Sequence, residues 1–253
     1  RAWTDGTRPM EWRDEGTLLA TRPHGESAAI VEVLTQRHGR HAGLVHGGTG
    51  KRLAPVLQPG NRLALTWRAR LENRLGTVTV EPLQYPAGAL MGARTALAGL
   101  AALTALAAFA LPERLPCPRL HDQSATVLDL MADGSPHWPY GYLRWELALL
   151  DEMGFGLDLG RCAATGRTED LAYVSPKSGR AVSREGAGPW ADRLLPLPAC
   201  LAGTPPDTPA ELRRGLTTTG WFLEHRLAAA RERPLPPARA RLLHALARDA
   251  GAP

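Results

Sequence analysis

Cysteine is scarce in this sequence, and the three cysteines are far apart. Cys117, Cys162 and Cys200 show neither the paired spacing of a zinc ribbon nor the pattern of a disulfide framework. No basic segment followed by an apolar core and an Ala-x-Ala site opens the chain, which argues against secretion. Both absences fit a reducing compartment, so we expect a cytoplasmic protein.

The sequence also lacks a convincing membrane span. Its most apolar segment, residues 89–111 (ALMGARTALAGLAALTALAAFAL), approaches the roughly 20 residues that a spanning helix needs. Alanine dominates this segment but contributes little transfer free energy, and Arg94 interrupts it. Because leucine recurs at every third position from Leu97 to Leu106, the segment favours a helix buried in a protein core.

Motifs for catalysis are missing as well. The glycine-rich segment VHGGTGKRLAPVLQPGN, residues 45–61, has the look of a phosphate-binding loop, but Val45 and Arg52 stand where a P-loop needs glycine and a hydroxyl. Pro55 and Pro59 exclude the long helix that should follow. No Gly-x-Ser-x-Gly or His-Glu-x-x-His motif occurs. We therefore interpret residues 45–61 as a mobile basic connection and predict a non-enzymatic protein without a cofactor.

Three histidines, His38, His41 and His46, lie close together in the sequence. On a strand, an offset of three residues sends side chains to opposite faces, so His38 and His41 could not share a metal ion without a bulge. The histidines therefore give no support for a metal site.

Charge is unevenly distributed behind the formal net charge of +5. Residues 35–76 carry eight cations and one acid, Glu72, whereas residues 113–170 carry ten acids and five arginines. A concentrated positive field is the usual footprint of polyanion binding, although any single exposed arginine is ordinary. The eight cations, called the basic set below, are Arg37, Arg40, Lys51, Arg52, Arg62, Arg68, Arg70 and Arg74.

Residues 10–85 contain five short segments with β-like alternation, separated by glycine-rich connections. Five strands in such a length predict a small closed barrel that presents its basic residues outward. Leu63, Leu65 and Trp67 fall on one face of the fourth segment, so Trp67 is predicted to be a core residue rather than a residue that stacks on a base.

The pattern becomes helical after the barrel, which predicts an α+β protein with a helical domain over residues 86–253. The last two helices are predicted at residues 209–231 and 237–248. A glycine- and serine-rich stretch at about residues 159–186 has β-like punctuation and predicts a small inserted hairpin.

The order of these segments resembles a known family. MEWRDEGTLLATRPHGESAAIVEVLTQRHGRHAGLVHGG, the following LQPGN, RWELALLDEMGFGLDLGRCAATG and YVSPKSGRAVS are together similar to the bacterial recombination mediator family RecO. The resemblance runs from Met10 to the C-terminal helices. It implies an N-terminal OB-fold, a helical domain with a zinc-finger-like hairpin, and a DNA-repair function in the RecF pathway without enzymatic activity.

The resemblance also implies partners. Family members bind single- and double-stranded DNA, anneal complementary strands, work with RecR and with the tail of single-stranded DNA-binding protein, share a pathway with RecF, and help to load RecA. Some relatives hold zinc through four cysteines in the hairpin, whereas this hairpin has only Cys162, with Thr165, Ser175 and Ser178 elsewhere in it. We therefore expect no zinc, and a nucleoid-associated protein of the cytoplasm.

On this reading, the basic set contacts DNA phosphates without reading bases. The acidic, hydrophobic-tipped tail of single-stranded DNA-binding protein is expected to meet cations of the last helices, namely Arg213, Arg214, Arg226, Arg231 and Arg233. Two alternatives remain open at this point: an OB-fold protein that binds RNA, and a transferase that uses a nucleotide at the glycine-rich loop.

Overall fold

Five strands in the N-terminal third form a closed barrel in the computed structural model, which describes residues 10–71 and 75–251. The order around the barrel is β1-β2-β3-β5-β4, and only the β3–β5 pair is parallel. The strands are β1 (Met10–His24), β2 (Ala28–Thr35), β3 (Gly39–Val45), β4 (Arg62–Ala69) and β5 (Thr77–Gln84). The predicted α+β class with an N-terminal five-stranded barrel is confirmed.

Strand β1 belongs to two strand pairs because it is long and bends. Its first half pairs with β4, and its second half pairs with β2 from Gly16 onward. A Cβ atom on Gly16 would lie 2.6 Å from the carbonyl oxygen of Leu34, so only glycine lets the two backbones approach this closely. This close approach helps the five strands to close around a small apolar core.

The barrel core follows the alternation seen in the sequence. Leu63, Leu65 and Trp67 of β4 are at most 4% exposed and point into the barrel. The predicted core position of Trp67 is therefore confirmed. Its indole Nε1 donates a hydrogen bond of 3.2 Å to the carbonyl oxygen of Leu75, which satisfies the polar atom of this buried ring.

One end of the barrel is covered by residues 46–61, which we call the lid. Val56 and Leu57 of the lid are buried in the barrel core. The Asn61 side-chain amide donates hydrogen bonds to the carbonyl oxygens of Pro55 and Val56, and Thr21 Oγ1 donates to that of Leu57. The interpretation of this segment as a mobile connection was wrong, because its apolar residues plug the barrel.

Helices dominate the rest of the described chain. The helices are α1 (Pro86–Ala89), α2 (Arg94–Ala110), α3 (Pro118–Ala132), α4 (Trp138–Glu152), α5 (Arg184–Ala187), α6 (Pro209–Phe222) and α7 (Pro237–Asp249), with a π-helical segment, Leu223–Ala228, directly after α6. A three-stranded sheet of order β7-β6-β8 lies between α4 and α6 in the sequence, formed by β6 (Leu171–Val174), β7 (Ala181–Ser183) and β8 (Leu195–Pro196).

The alanine-rich helix α2 lies in the centre of the helical core, as its pattern predicts. Leu100, Leu103 and Leu106 are buried, whereas Leu97 is 45% exposed. Small alanine side chains let α7 and β1 pack closely against α2. Across the described part of the chain, the helices are all too short or too polar to span a bilayer.

A buried ion pair joins three helices of this domain. Glu146 of α4 is fully buried and accepts hydrogen bonds of 2.7 and 2.9 Å from the Arg239 guanidinium of α7. Thr219 Oγ1 of α6 donates to the same carboxylate, and Arg239 donates to the Leu216 carbonyl oxygen. This network fixes the relative positions of α4, α6 and α7.

Candidate nucleic-acid interface

The basic set is divided among three places on the molecule. β1 is antiparallel to β2 and β4, so the β2–β3 turn and the end of β4 lie at the end of the barrel opposite the lid, which we call the distal end. Arg37, Arg68 and Arg70 belong to the distal end. Lys51 and Arg52 belong to the lid. Arg40 and Arg62 contact the helical domain, and Arg74 lies outside the described residues.

Two members of the basic set join the barrel to the helices. The Arg40 side chain is only 15% exposed; it pairs with Glu32 at 2.7 Å and with Glu113 at 3.6 Å, and it donates to the Leu111 carbonyl oxygen. Arg62, on the same side, is 3.7 Å from Asp129 of α3. The prediction that basic residues simply face outward is therefore wrong for Arg40, because neighbouring carboxylates and the α2 terminus enclose it.

Arg37 and Arg68 are exposed but have carboxylate partners. Arg37 Nε donates to Asp14 at 3.3 Å, and its side chain is 66% exposed. Arg68 Nε donates to Glu11 at 2.8 Å, and its side chain is 57% exposed. The hydrogen bond from Arg68 lowers the pKa of Glu11. The Arg68–Glu11 pair is exposed on both sides and contributes little free energy in water, so a phosphate can compete with Glu11, whereas the Asp14 carboxylate that Arg37 contacts is only 4% exposed.

Lys51, Arg52 and Arg70 are exposed and form no ion pair with any described residue. Lys51 and Arg52 are neighbours in the turns of the lid, and Arg70 follows the last residue of β4. Their charges are available to an external polyanion without the loss of an ion pair to residues 10–71 or 75–251.

A stacked aromatic cluster at the distal end is not evident from the sequence. The Trp12 ring stacks between His38, at a centroid distance of 4.0 Å, and Trp67, at 5.6 Å. His41 meets both indoles edge-on. The expectation that His38 and His41 point to opposite faces was wrong, because His38 lies in the turn before β3 rather than on the strand. The only sequence signal for this cluster is the positions of the two tryptophans on paired strands.

The buried Asp14 carboxylate fixes the His38 ring of this cluster by hydrogen bonding. Its carboxylate accepts hydrogen bonds from the His38 ring at 2.8 Å and from the Arg37 backbone amide at 3.0 Å. Burial alone would raise the pKa of Asp14, but these hydrogen bonds outweigh burial and lower it. Burial also lowers the pKa of His41, which favours its neutral form. Both faces of Trp12 are covered, so the cluster is a structural support for the distal end.

The five arginines predicted to contact the tail of single-stranded DNA-binding protein differ in how many contacts they make within the helical domain. Arg226 donates to the carbonyl oxygens of Pro176 and Lys177, and Arg231 donates to that of Ala110. The Arg233 guanidinium lies over the Phe109 ring at 5.7 Å. These three side chains stabilise the helical domain. Arg213 and Arg214 of α6 are exposed.

An apolar groove lies beside Arg213. Its larger part has a volume of about 400 Å³ and is lined by residues that include Trp138, Pro209, Leu212 and Leu246. A smaller cavity of about 40 Å³ shares three of these residues and adds Arg213, Leu216 and Leu243. We call the two together the α6–α7 groove. Asp207 and Asp249 also line the larger part, so the positive charge is confined to the smaller part.

In the hairpin region around β6 and β7, one buried sulfur atom accepts hydrogen bonds from two backbone amides. Cys162 is buried, and its Sγ accepts hydrogen bonds from the Ser183 amide at 3.2 Å and the Thr165 amide at 3.4 Å. Burial favours the neutral thiol, but these donors lower the pKa of Cys162 to about 6. No group of three or more metal-binding side chains occurs in residues 10–71 and 75–251. The absence of zinc remains a prediction.

Two models of one protein family match nearly the whole chain. A family model described as Recombination protein O N terminal matches residues 10–86, and one described as Recombination protein O C terminal matches residues 91–236. The chain is 57% identical over 240 residues to the DNA repair protein RecO of Ruegeria sp. (strain TM1040), which covers 94% of this chain and 99% of the relative.

Other relatives give similar values. The DNA repair protein RecO of Cereibacter sphaeroides (strain ATCC 17029 / ATH 2.4.9) is 57% identical over 240 residues, with 94% of this chain and 99% of the relative covered. That of Paracoccus denitrificans (strain Pd 1222) is 55% identical over 235 residues, with 92% and 95% covered.

Proposed function

Because the chain belongs to the RecO family of DNA repair and recombination proteins, we propose that it binds single- and double-stranded DNA through phosphate contacts and anneals complementary strands. Members of this family are DNA-binding recombination mediators and not enzymes. The observation that carries the proposal is the presence of exposed cations, in two separate groups, that have weak internal partners or none among the described residues.

The lid and the distal end supply these two groups. Lys51 and Arg52 lie on the lid, and Arg68 and Arg70 lie at the opposite end of the barrel, where Arg37 belongs to the β2–β3 turn. Neutralising phosphates releases condensed counterions, which drives binding irrespective of base sequence. Because the groups are separate, each can neutralise one strand, and the repulsion between two complementary strands is reduced while their bases pair. Arg40 and Arg62 hold the barrel on the helices in this account.

A second part of the proposal concerns a protein partner. The α6–α7 groove offers leucines for an apolar side chain at the end of a peptide, and Arg213 offers a cation for its carboxylate. This combination supports docking of the acidic, hydrophobic-tipped tail of single-stranded DNA-binding protein. Arg214, exposed on the same helix, adds charge near the groove.

The family relationship supports the remaining steps. In this proposal the protein works with RecR, helps to load RecA onto coated single strands, and is found with the DNA of the nucleoid. The strand that it delivers carries bound single-stranded DNA-binding protein, so the α6–α7 groove recruits the protein to its substrate. The cation groups then act on the DNA itself.

Strand annealing with and without pre-bound single-stranded DNA-binding protein tests the proposal. We expect the protein to accelerate annealing in both cases. Removal of the tail of single-stranded DNA-binding protein should abolish the acceleration of annealing only on strands that this protein coats. The variant Arg213→Glu should show the same selective loss, whereas Lys51→Ala/Arg52→Ala should slow annealing of bare strands as well. Failure of the wild-type protein to accelerate annealing of either substrate, or preferential binding of RNA, would overturn the proposal.

A further inference from the structure

A cleft of about 530 Å³ lies on the outside of the barrel, where β4 ends and β5 begins. Its walls include the side chains of Leu44, Ala69, Leu75 and Thr77, and it is mostly apolar. Leu75 is 39% exposed and forms one apolar wall of the cleft. Such a concave apolar surface on an otherwise basic barrel end needs a ligand of matching chemistry.

Buried contacts hold the walls of this cleft in position. The indole nitrogen of Trp67 donates to the Leu75 carbonyl oxygen at 3.2 Å. Gly76 has a φ of +68°, and a Cβ atom there would lie 2.5 Å from the Trp67 ring, so the backbone packs directly on the indole. The Leu44 amide then donates to the Gly76 carbonyl oxygen at 3.0 Å. The backbone that carries the two leucines is therefore fixed before a ligand enters, which reduces the entropy lost on binding.

Positive charge borders the same space. Arg68 and Arg70 line the cleft together with the leucines. Arg70 forms no ion pair with a described residue, and Arg68 has only an exposed carboxylate partner, Glu11, whose side chain is 40% exposed. The cleft thus combines apolar walls with guanidinium groups that can exchange their partners. This combination complements a flat apolar ring attached to a phosphate chain.

We infer that the cleft accepts one unpaired DNA base between Leu44 and Leu75, while Arg68 and Arg70 contact the phosphates beside it. A base inside a duplex is stacked and paired, so it cannot enter, and the site therefore distinguishes unpaired from paired DNA. This inference rests on the proposed DNA binding and adds a base-dependent contact to the phosphate contacts. A protein strand or a second copy of the chain would meet the same leucines, but it would not require the arginines.

The test compares two single-stranded oligonucleotides of equal length, one of thymidines and one of abasic residues, which carry the same phosphates. The wild-type protein should bind the thymidine strand about fivefold more tightly, equivalent to roughly 1 kcal/mol, because only this strand can fill the cleft. Leu75→Ser should remove this preference and leave the salt dependence of binding unchanged. Leu44→Ser provides a second variant if Leu75→Ser is poorly folded.

Leu97→Ser is the matched control, because Leu97 is also an exposed leucine but lies on α2. It should retain the preference for the thymidine strand. Equal affinity of the wild-type protein for the two strands, or a preference that survives both cleft substitutions, would overturn the inference while leaving phosphate binding intact. If the wild-type protein binds neither strand, the proposed function itself fails, so the two failures are distinguishable.

Discussion

At the scale of single residues, three arginines illustrate three environments: a buried carboxylate, backbone carbonyl groups and solvent. Arg239 pairs with a fully buried carboxylate, whereas Arg226 donates to two carbonyl oxygens of the β6–β7 turn. Arg70 is exposed. The same substitution is therefore expected to have different consequences at these positions: loss of stability at Arg239, local loosening at Arg226, and loss of ligand binding without loss of stability at Arg70.

Arg239→Ala is expected to lower the free energy of unfolding by about 3–5 kcal/mol, because it leaves the buried Glu146 carboxylate without its cation. Urea unfolding followed by circular dichroism measures this change. The double variant Glu146→Leu/Arg239→Leu should recover much of the loss, since no charge then remains buried. A single variant that is as stable as the wild type would contradict the assigned network.

The buried His41 ring makes stability depend on pH. Burial lowers the folded-state pKa of His41 below 6.5, its ordinary value, so the unfolded chain takes up a proton more readily. The free energy of unfolding that comes from a neutral His41 is therefore fully present above the unfolded-state pKa and is lost as the pH falls toward the folded-state pKa. Urea unfolding at about pH 7.5 and about pH 5.5 should show lower stability at the lower pH. His41→Gln should reduce the difference, and an unchanged difference would contradict this assignment.

At the scale of elements, a single sulfur atom makes several of the contacts that organise the small sheet of the hairpin region. Cys162 accepts hydrogen bonds from Thr165, before β6, and from Ser183, the last residue of β7, and a Cβ atom on Gly186 would lie only 2.8 Å from its Sγ. The three-stranded sheet is small, so each of these contacts contributes a large share of its stability.

The hairpin should therefore depend on Cys162 and not on a metal. Cys162→Ala is expected to lower the free energy of unfolding by about 1–3 kcal/mol, because buried amide donors lose their acceptor. Incubation of the wild-type protein with EDTA should leave its Tm unchanged. A fall in Tm caused by the chelator, together with metal detected by elemental analysis, would show that the hairpin does hold a metal ion.

The burial of the lid and the stacked cluster at the distal end could not be predicted from the sequence. Alternation identified the β4 core residues because each strand obeys the same two-residue period. The same rule misplaced His38, which lies in a turn, and the glycines and prolines of the lid suggested mobility although Val56 and Leu57 are buried. Residue patterns predicted the barrel and the helical domain, and the family resemblance implied the OB-fold, but neither locates a contact between residues far apart in the chain, such as Trp12 on His38.

Ion pairs across the molecule could not be read from the sequence for the same reason. The basic set was one cluster along the chain, yet folding places Arg40 and Arg62 against acids of the segment after the barrel. The charge asymmetry between residues 35–76 and residues 113–170 thus has two roles. Part of it joins barrel and helices, and the remainder is left exposed.

At the scale of the whole molecule, Arg40 and Arg62 form ion pairs between the barrel and the helical domain, and Leu19 and Leu34 of the barrel pack in the helical core. The lid cations and the distal cations consequently lie on elements that pack in one unit with the α6–α7 groove. In the proposed function, a partner tail held in the groove keeps its attached strand near these cations. The central claim is that the exposed cations contribute binding free energy by replacing the counterions of DNA.

The most direct test of this claim is the affinity for single-stranded DNA measured as a function of salt concentration. Lys51→Ala/Arg52→Ala should reduce the magnitude of the slope of log affinity against log salt by about 1.4, because each lost phosphate contact contributes about 0.7. Arg241→Ala/Arg248→Ala, which removes two exposed cations from α7, should leave the slope as in the wild-type protein. A slope unchanged in the lid variant would contradict the claim.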